Sequence, residues 1–189
     1  MPIIDLELYL QATRGDAVPS EEAIDERRKV AECFHRFGII LNRDPRIEMR
    51  DNDEYIDLME RYFADVGDRF YNNEQVSCIK PEHHYQVGAT PEYIEMARSH
   101  REKLLALDLE DQDMPVSPLE PVLDAKWRFM WKIGERPEGA SDDFPAVIPD
   151  GYPDWESKMN QWGGKLHQAV FTVAEMAALG MGVEKNTFT

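Results

Sequence analysis

The stretch DWESKMNQWGGKLHQAVFTVAEMAAL, residues 154–179, decides the fold. Trp155, Met159, Trp162, Leu166, Ala169, Val173, Met176 and Gly180 recur at alternating steps of four and three, the spacing that stacks side chains on one face of an α-helix. A helix of this kind gains its stability from tertiary packing rather than from propensity, so the stripe needs a sheet or several other helices to cover it. Gly163 and Gly164 each cost about 1 kcal/mol relative to alanine inside a helix. They predict a kink or a close neighbour, and Gly180 and Gly182 predict the stop.

Working outward, 189 residues suffice to bury a real core, and 42% hydrophobic with 10% aromatic residues argues for a folded chain. The 37 acidic residues against 21 Lys and Arg give a formal net charge of -16. Such a field repels phosphate backbones and anionic lipid, which makes nucleic acid and membrane surfaces poor partners. Two cysteines, Cys33 and Cys78, make no disulfide framework. With no signal-like start and with Glu175 interrupting the apolar tract at 169–183, the expectation is an intracellular, cytoplasmic protein.

At the other end, Pro2-Ile3-Ile4-Asp5-Leu6 reads as a short strand with Ile4 and Leu6 on one face. A polar turn at Arg14-Gly15-Asp16 precedes Pro19-Ser20-Glu21-Glu22, which supplies a capping hydroxyl and first-turn acids for a helix. Ile24, Ala31, Phe34 and Phe37 mark its expected buried side. Gly38 ends it, and Ile39-Ile40-Leu41 is a continuous apolar run of the type found in buried strands. The unit is strand, helix, strand.

These residues carry a resemblance. Pro2-Ile3-Ile4-Asp5-Leu6, followed by a helix running into Ala31-Glu32-Cys33-Phe34-His35-Arg36-Phe37-Gly38-Ile39-Ile40-Leu41-Asn42, resembles the N-terminal region of the isopenicillin N synthase-like non-haem iron, 2-oxoglutarate-dependent dioxygenases, in the clavaminate synthase-like superfamily. The order and spacing of the elements carry the likeness more than any one of them.

Between these ends, a second helix is expected over about 52–65, with Tyr55, Leu58, Met59, Tyr62 and Phe63 apolar, and Arg69-Phe70-Tyr71 is similar to the aromatic pair that closes it in the family. Residues 72–89 read as a long loop. Thr90-Pro91-Glu92 predicts a third helix, with Tyr93, Ala97, His100, Leu104 and Leu107 as its stripe. An acidic, proline-bearing connection follows over 108–121, then the aromatic segment Trp127–Gly134 and a second long loop at 135–153. Pro153-Asp154-Trp155 is similar to the start of the family's longest helix, so the resemblance spans nearly the whole chain.

The resemblance implies an α+β, mostly helical fold of three to five helices with two short edge strands, in one N-terminal domain over 1–189. The jelly-roll core of the double-stranded β-helix would be largely absent. Pro2–Leu6 and Gly38–Asn42 would join the rim of that missing sheet, and alone would leave open edges that invite pairing. An isolated chain should then associate or be marginally stable. A β-helix catalytic domain or a partner protein is expected to cover the apolar face of the helix at 154–180.

The family binds iron through a His-x-Asp pair and a distant His, and holds 2-oxoglutarate with an Arg-x-Ser motif. Neither motif occurs among the five histidines, His35, His83, His84, His100 and His167, or after any arginine. In His100-Arg101-Glu102 a two-residue helical step turns the side chains by about 200°, onto opposite faces. Glu32 and His35 have the spacing of a di-iron helix, but such a site needs two of these motifs and two more glutamates. Cys78, His83 and His84 lack a fourth ligand at a standard spacing, and His167 reads as a boundary residue. Glu110-Asp111 and Asp142-Asp143 read as solvated surface.

No catalytic, metal or cofactor-binding residue is therefore expected in this chain. Fe(II) and 2-oxoglutarate are implied only for a complete enzyme. The loop His84-Tyr85-Gln86 matches the family's segment at the mouth of the iron pocket, and Tyr85 and Gln86 are candidates for shaping substrate access, against the alternative that Tyr85 packs on the third helix. Two functions remain open: the N-terminal portion of a dioxygenase, not competent alone, or a non-catalytic structural or protein-binding module derived from one.

Overall fold

A computed structural model describes residues 1–13, 18–114, 120–134, 138–139 and 144–189. The elements in order are β1 (Ile3–Asp5), α1 (Leu6–Ala12), α2 (Glu21–Phe37), β2 (Leu41–Arg43), α3 (Met49–Tyr71), β3 (Gly88–Thr90), α4 (Arg101–Ala106), β4 (Arg128–Met130) and α5 (Trp155–Gly180), with single 3-10 turns at Pro81–His83 and Asp111–Asp113. They form two compact units. One comprises Met1–Leu58 with Ser157–Thr189, and the other Met59–Glu156.

In the first unit β1 pairs in parallel with β2, Ile3 opposite Leu41 and Asp5 opposite Arg43. Each strand thus satisfies one side of the other, and in this two-stranded sheet each keeps its outer edge. The strand expected to include Leu6 ends at Asp5. The Asp5 side chain accepts a hydrogen bond from the Glu7 N–H at 2.9 Å, so the chain turns into α1, a helix that the residue pattern did not suggest. Ser20 caps α2 through the Ala23 N–H, and Gly38 closes it in the left-handed conformation at φ 69°. The turn expected at Arg14-Gly15-Asp16 lies outside the described residues.

The buried face of α2 is not the one the pattern suggested. Ala23, Glu26, Val30 and Cys33 are buried, whereas Ile24, Phe34 and Phe37 are exposed. The helix carries two apolar stripes, and the one with smaller side chains faces inward because α2 approaches α5 closely. A Cβ on Gly180 would lie 2.2 Å from the Arg27 carbonyl oxygen and 3.2 Å from the Ala31 Cβ. Ile4, Leu6, Tyr9, Val30, Cys33, Val173, Met176 and Ala177 make the core of this unit, with Ile40 packed beside it. By strand alternation Ile39 and Leu41 point to the opposite face, where they are exposed, so the run Ile39–Leu41 is not a buried strand.

Polar groups bind the elements of this unit together. Buried Glu26 accepts the Asp5 N–H at 3.0 Å and pairs with Lys29 at 2.6 Å. The Tyr9 hydroxyl donates to Glu175 at 2.9 Å, Lys185 pairs with the same carboxylate, and the Arg27 guanidinium lies over the Tyr9 ring. Burial, more than the Glu175 contact, pushes the Tyr9 hydroxyl pKa well above its ordinary value. Beyond β2, Arg46 grips the Asp44 carboxylate and also donates to the Gln168 carbonyl and the Thr172 hydroxyl of α5.

Most of the α5 stripe is buried. Trp155, Met159, Ala169, Val173 and Met176 are buried, Trp162 is half-buried and Leu166 is exposed. The apolar row left open on α5 is Leu166, Val170 and Phe171. Gly163 and Gly164 lie within an uninterrupted helix, and a Cβ on Gly164 would meet nothing within 4 Å. A close neighbour of the expected kind occurs at Gly180.

The second unit has an aromatic centre. The Tyr62 ring lies 4.5 Å from Trp155, 5.3 Å from Phe129 and 5.6 Å from Tyr152, in tilted or edge-on geometry. Helix α3 exceeds the expected 52–65 span at both ends and takes in Phe70 and Tyr71. β3 pairs antiparallel with β4, Ala89 opposite Phe129, so the aromatic segment is extended. The helix expected from Thr90 does not form there. Thr90 ends β3, Tyr93 has a φ of 60°, and the chain from Tyr93 to Met96 bonds to residues 123–124 instead. Only Arg101–Ala106 is helical, and Tyr93 and Leu107 are exposed. Among the described residues no helix is long and apolar enough to cross a membrane.

Candidate functional site

The loop His84-Tyr85-Gln86 lies in the second unit, between the 3-10 turn Pro81–His83 and β3. Its backbone is unusual. His84 and Tyr85 are consecutive non-glycine residues with φ of 52° and 57°, in the left-handed region that L side chains rarely adopt. Such a pair persists only where the surroundings hold it.

Several groups do so here. The Tyr85 N–H donates to the Lys80 carbonyl at 3.2 Å and the Gln86 N–H to that of His83 at 3.0 Å. The Tyr85 carbonyl accepts from Arg128 of β4 at 3.4 Å. Arg128 is itself held by Glu95 at 2.6 Å. On the far side of the loop, Ala89 donates to the Cys78 carbonyl at 2.8 Å, and Gly88, at φ 69°, passes so close that a Cβ would fall 2.2 Å from that oxygen. His84 and Gln86 are exposed and Tyr85 is half-buried.

Sequence reasoning missed Arg128 and Glu95, and gave Gly88, at the end of the loop, no role of its own. Arg128 and Glu95 are distant in sequence from the loop and belong to no motif. The signal within reach was Gly88 itself, since a glycine can mark a close backbone approach.

The remaining candidates do not converge. His35 and Glu32 are exposed on α2, where Glu32 pairs with Arg36 at 3.0 Å. His167 is exposed beside Phe171 on α5. His83 meets the Phe144 ring edge-on, and His100 precedes the first turn of α4. Cys78 is buried with its sulfur 3.1 Å from the Tyr62 hydroxyl. Glu110 is exposed, and Asp142-Asp143 lies outside the described residues.

Among the described residues no three His, Cys, Asp or Glu side chains form a group able to hold a metal ion. A facial triad needs two imidazoles and a carboxylate on one point. The described residues therefore do not fit an iron site, and they support no chemical step through one.

The closest approach to a reactive pair is Tyr62 with Cys78. Burial, reinforced by Cys78, drives the Tyr62 hydroxyl pKa far up, and burial also raises the Cys78 thiol despite its hydrogen bond with Tyr62. Both groups hold their protons at neutral pH. A thiol without thiolate character is not a nucleophile.

A shallow cleft in the first unit is lined by Asp51, Glu54, Tyr55, Leu58, Lys158, Gln161 and Trp162. Tyr55 and Trp162 stack on each other at 5.4 Å, and Asp51 is occupied by Lys165 at 2.5 Å.

No family model matches the chain, and no curated protein matches it. A solved structure does: the crystal structure of a full-length Neurospora crassa protein in complex with alpha-KG superposes with a TM-score of 0.58 at 17% identity. The match covers 100% of this chain and 49% of that one, so the chain spans about half the length of its neighbour. At this identity the likeness establishes a shared fold over that half.

Proposed function

We propose that this chain is the helical N-terminal portion of an Fe(II)/2-oxoglutarate-dependent oxygenase, not catalytically competent alone. The observation that carries this reading is the superposition of the whole chain on about half of a protein bound to alpha-KG, which is 2-oxoglutarate. Further support comes from the order of the N-terminal motifs, which resembles that of the family. Fe(II) and 2-oxoglutarate belong, on this reading, to a double-stranded β-helix outside these residues. That domain would cover apolar surface that the chain leaves bare, including Leu166, Val170 and Phe171 of α5. Two free, buried cysteines suit an intracellular location.

Within that enzyme the loop His84-Tyr85-Gln86 is assigned to the substrate entrance. Its support is the strained backbone at His84 and Tyr85, held by Arg128 and Gly88, with Gln86 exposed. Replacing Tyr85 by Ala in the complete enzyme should change substrate preference; an unchanged preference removes the assignment.

A second reading, a non-catalytic binding or structural module, is favoured by the exposed apolar side chains Ile24, Phe34, Phe37, Ile39 and Leu41. The two are separated by extending the transcript past the codon for Thr189. A frame that continues into a His-x-Asp and an Arg-x-Ser supports the oxygenase, whereas a stop codon and a stoichiometric co-purifying protein support the module. Fe(II) and 2-oxoglutarate titrated into the purified chain should show no stoichiometric binding. Tight binding of one iron would overturn the claim that this portion is incompetent alone.

A further inference from the structure

We draw no further inference here: the strongest candidate, the exposed apolar face that Ile3 of β1 and Leu41 of β2 form with the flanking Met1 and Ile39, carries nothing because nothing in the structure shows what covers it.

Discussion

Gly180, the last residue of α5, lies against the main chain at Arg27 of α2, with room for a hydrogen and not for a methyl group: a Cβ would stand 2.2 Å from the Arg27 carbonyl oxygen and 2.9 Å from its carbon. Both neighbours are backbone, so they yield only if one helix moves. Gly180→Ala gains up to about 1 kcal/mol of helix propensity but forces overpacking that typically costs about 1–3 kcal/mol. The net change expected is destabilising. Urea unfolding of the two proteins checks it, and an equal or higher midpoint for Gly180→Ala would mean that the contact is not tight.

The same helix carries the opposite case. Gly164 lies in the middle of α5 with open space where its side chain would be. Gly164→Ala should stabilise the chain by about 0.5–1 kcal/mol through the backbone entropy lost by glycine on folding. A thermal midpoint that rises for Gly164→Ala and falls for Gly180→Ala separates propensity from packing within one element.

Asp44 and Arg46 make a pH prediction. Burial works against the Asp44 charge, but the side-chain and backbone hydrogen bonds from Arg46 outweigh it and hold the carboxyl below its ordinary 3.8. A depressed carboxylate contributes stability above its unfolded pKa, and that contribution disappears as pH falls through the folded value. The thermal midpoint should therefore hold between neutrality and about pH 5, then fall below about pH 4. Asp44→Asn should make that acid-side fall shallower. Removing the partner is harsher: the Asp44 side chain is only 2% exposed, so Arg46→Ala strands a buried charge and should cost about 3 kcal/mol. If Arg46→Ala and the double variant with Asp44→Asn prove equally unstable, the stranded charge is not the cause.

The cysteines make a chemical prediction. Cys33 is 1% exposed and Cys78 is 3% exposed, and burial raises the Cys78 thiol further. Neither should react with Ellman's reagent in the native state at neutral pH, and both should react once the chain is unfolded. Rapid native labelling of Cys78 would contradict the burial of the Tyr62–Cys78 pair.

How far residues alone could be read follows from where each element gets its stability. The stripe from Trp155 to Gly180 is long and mostly single-sided, so periodicity placed α5 to within a residue of its observed start. Helix α2 has two apolar stripes, and periodicity cannot rank them. The choice fell to Ala23, Val30 and Cys33 because of a close approach to α5 that only coordinates reveal. The helix expected from Thr90 had good local signals, a capping residue and a proline, but backbone bonds from Tyr93 and Asp124 to partners about thirty residues away override them. Helix α1 escaped because seven residues show too little period, although Asp5 was a legible cap. At the candidate site, the loop was named from resemblance. The Arg128–Glu95 pair that fixes it was not legible, since it joins segments with no shared motif.

Gly88 tests whether the loop's geometry is enforced. Its φ of 69° is strained for any L side chain, and a Cβ there would meet the Cys78 carbonyl oxygen at 2.2 Å and Val147 at 3.1 Å. Gly88→Ala therefore combines a left-handed penalty of roughly 1–2 kcal/mol with a backbone clash, and should break the Ala89 to Cys78 hydrogen bond that anchors the start of β3. Hydrogen exchange is the direct readout: amide protection at Tyr85, Gln86 and Ala89 should fall, while protection in α2 and the 166–180 part of α5 should stay. A loop freed in this way should no longer hold His84 and Tyr85 left-handed, because that conformation depends on the bonds around it. Were protection at these amides to survive Gly88→Ala unchanged, the strain at His84 and Tyr85 would be intrinsic to the turn, and the contact between Gly88 and Cys78 would not be what enforces it.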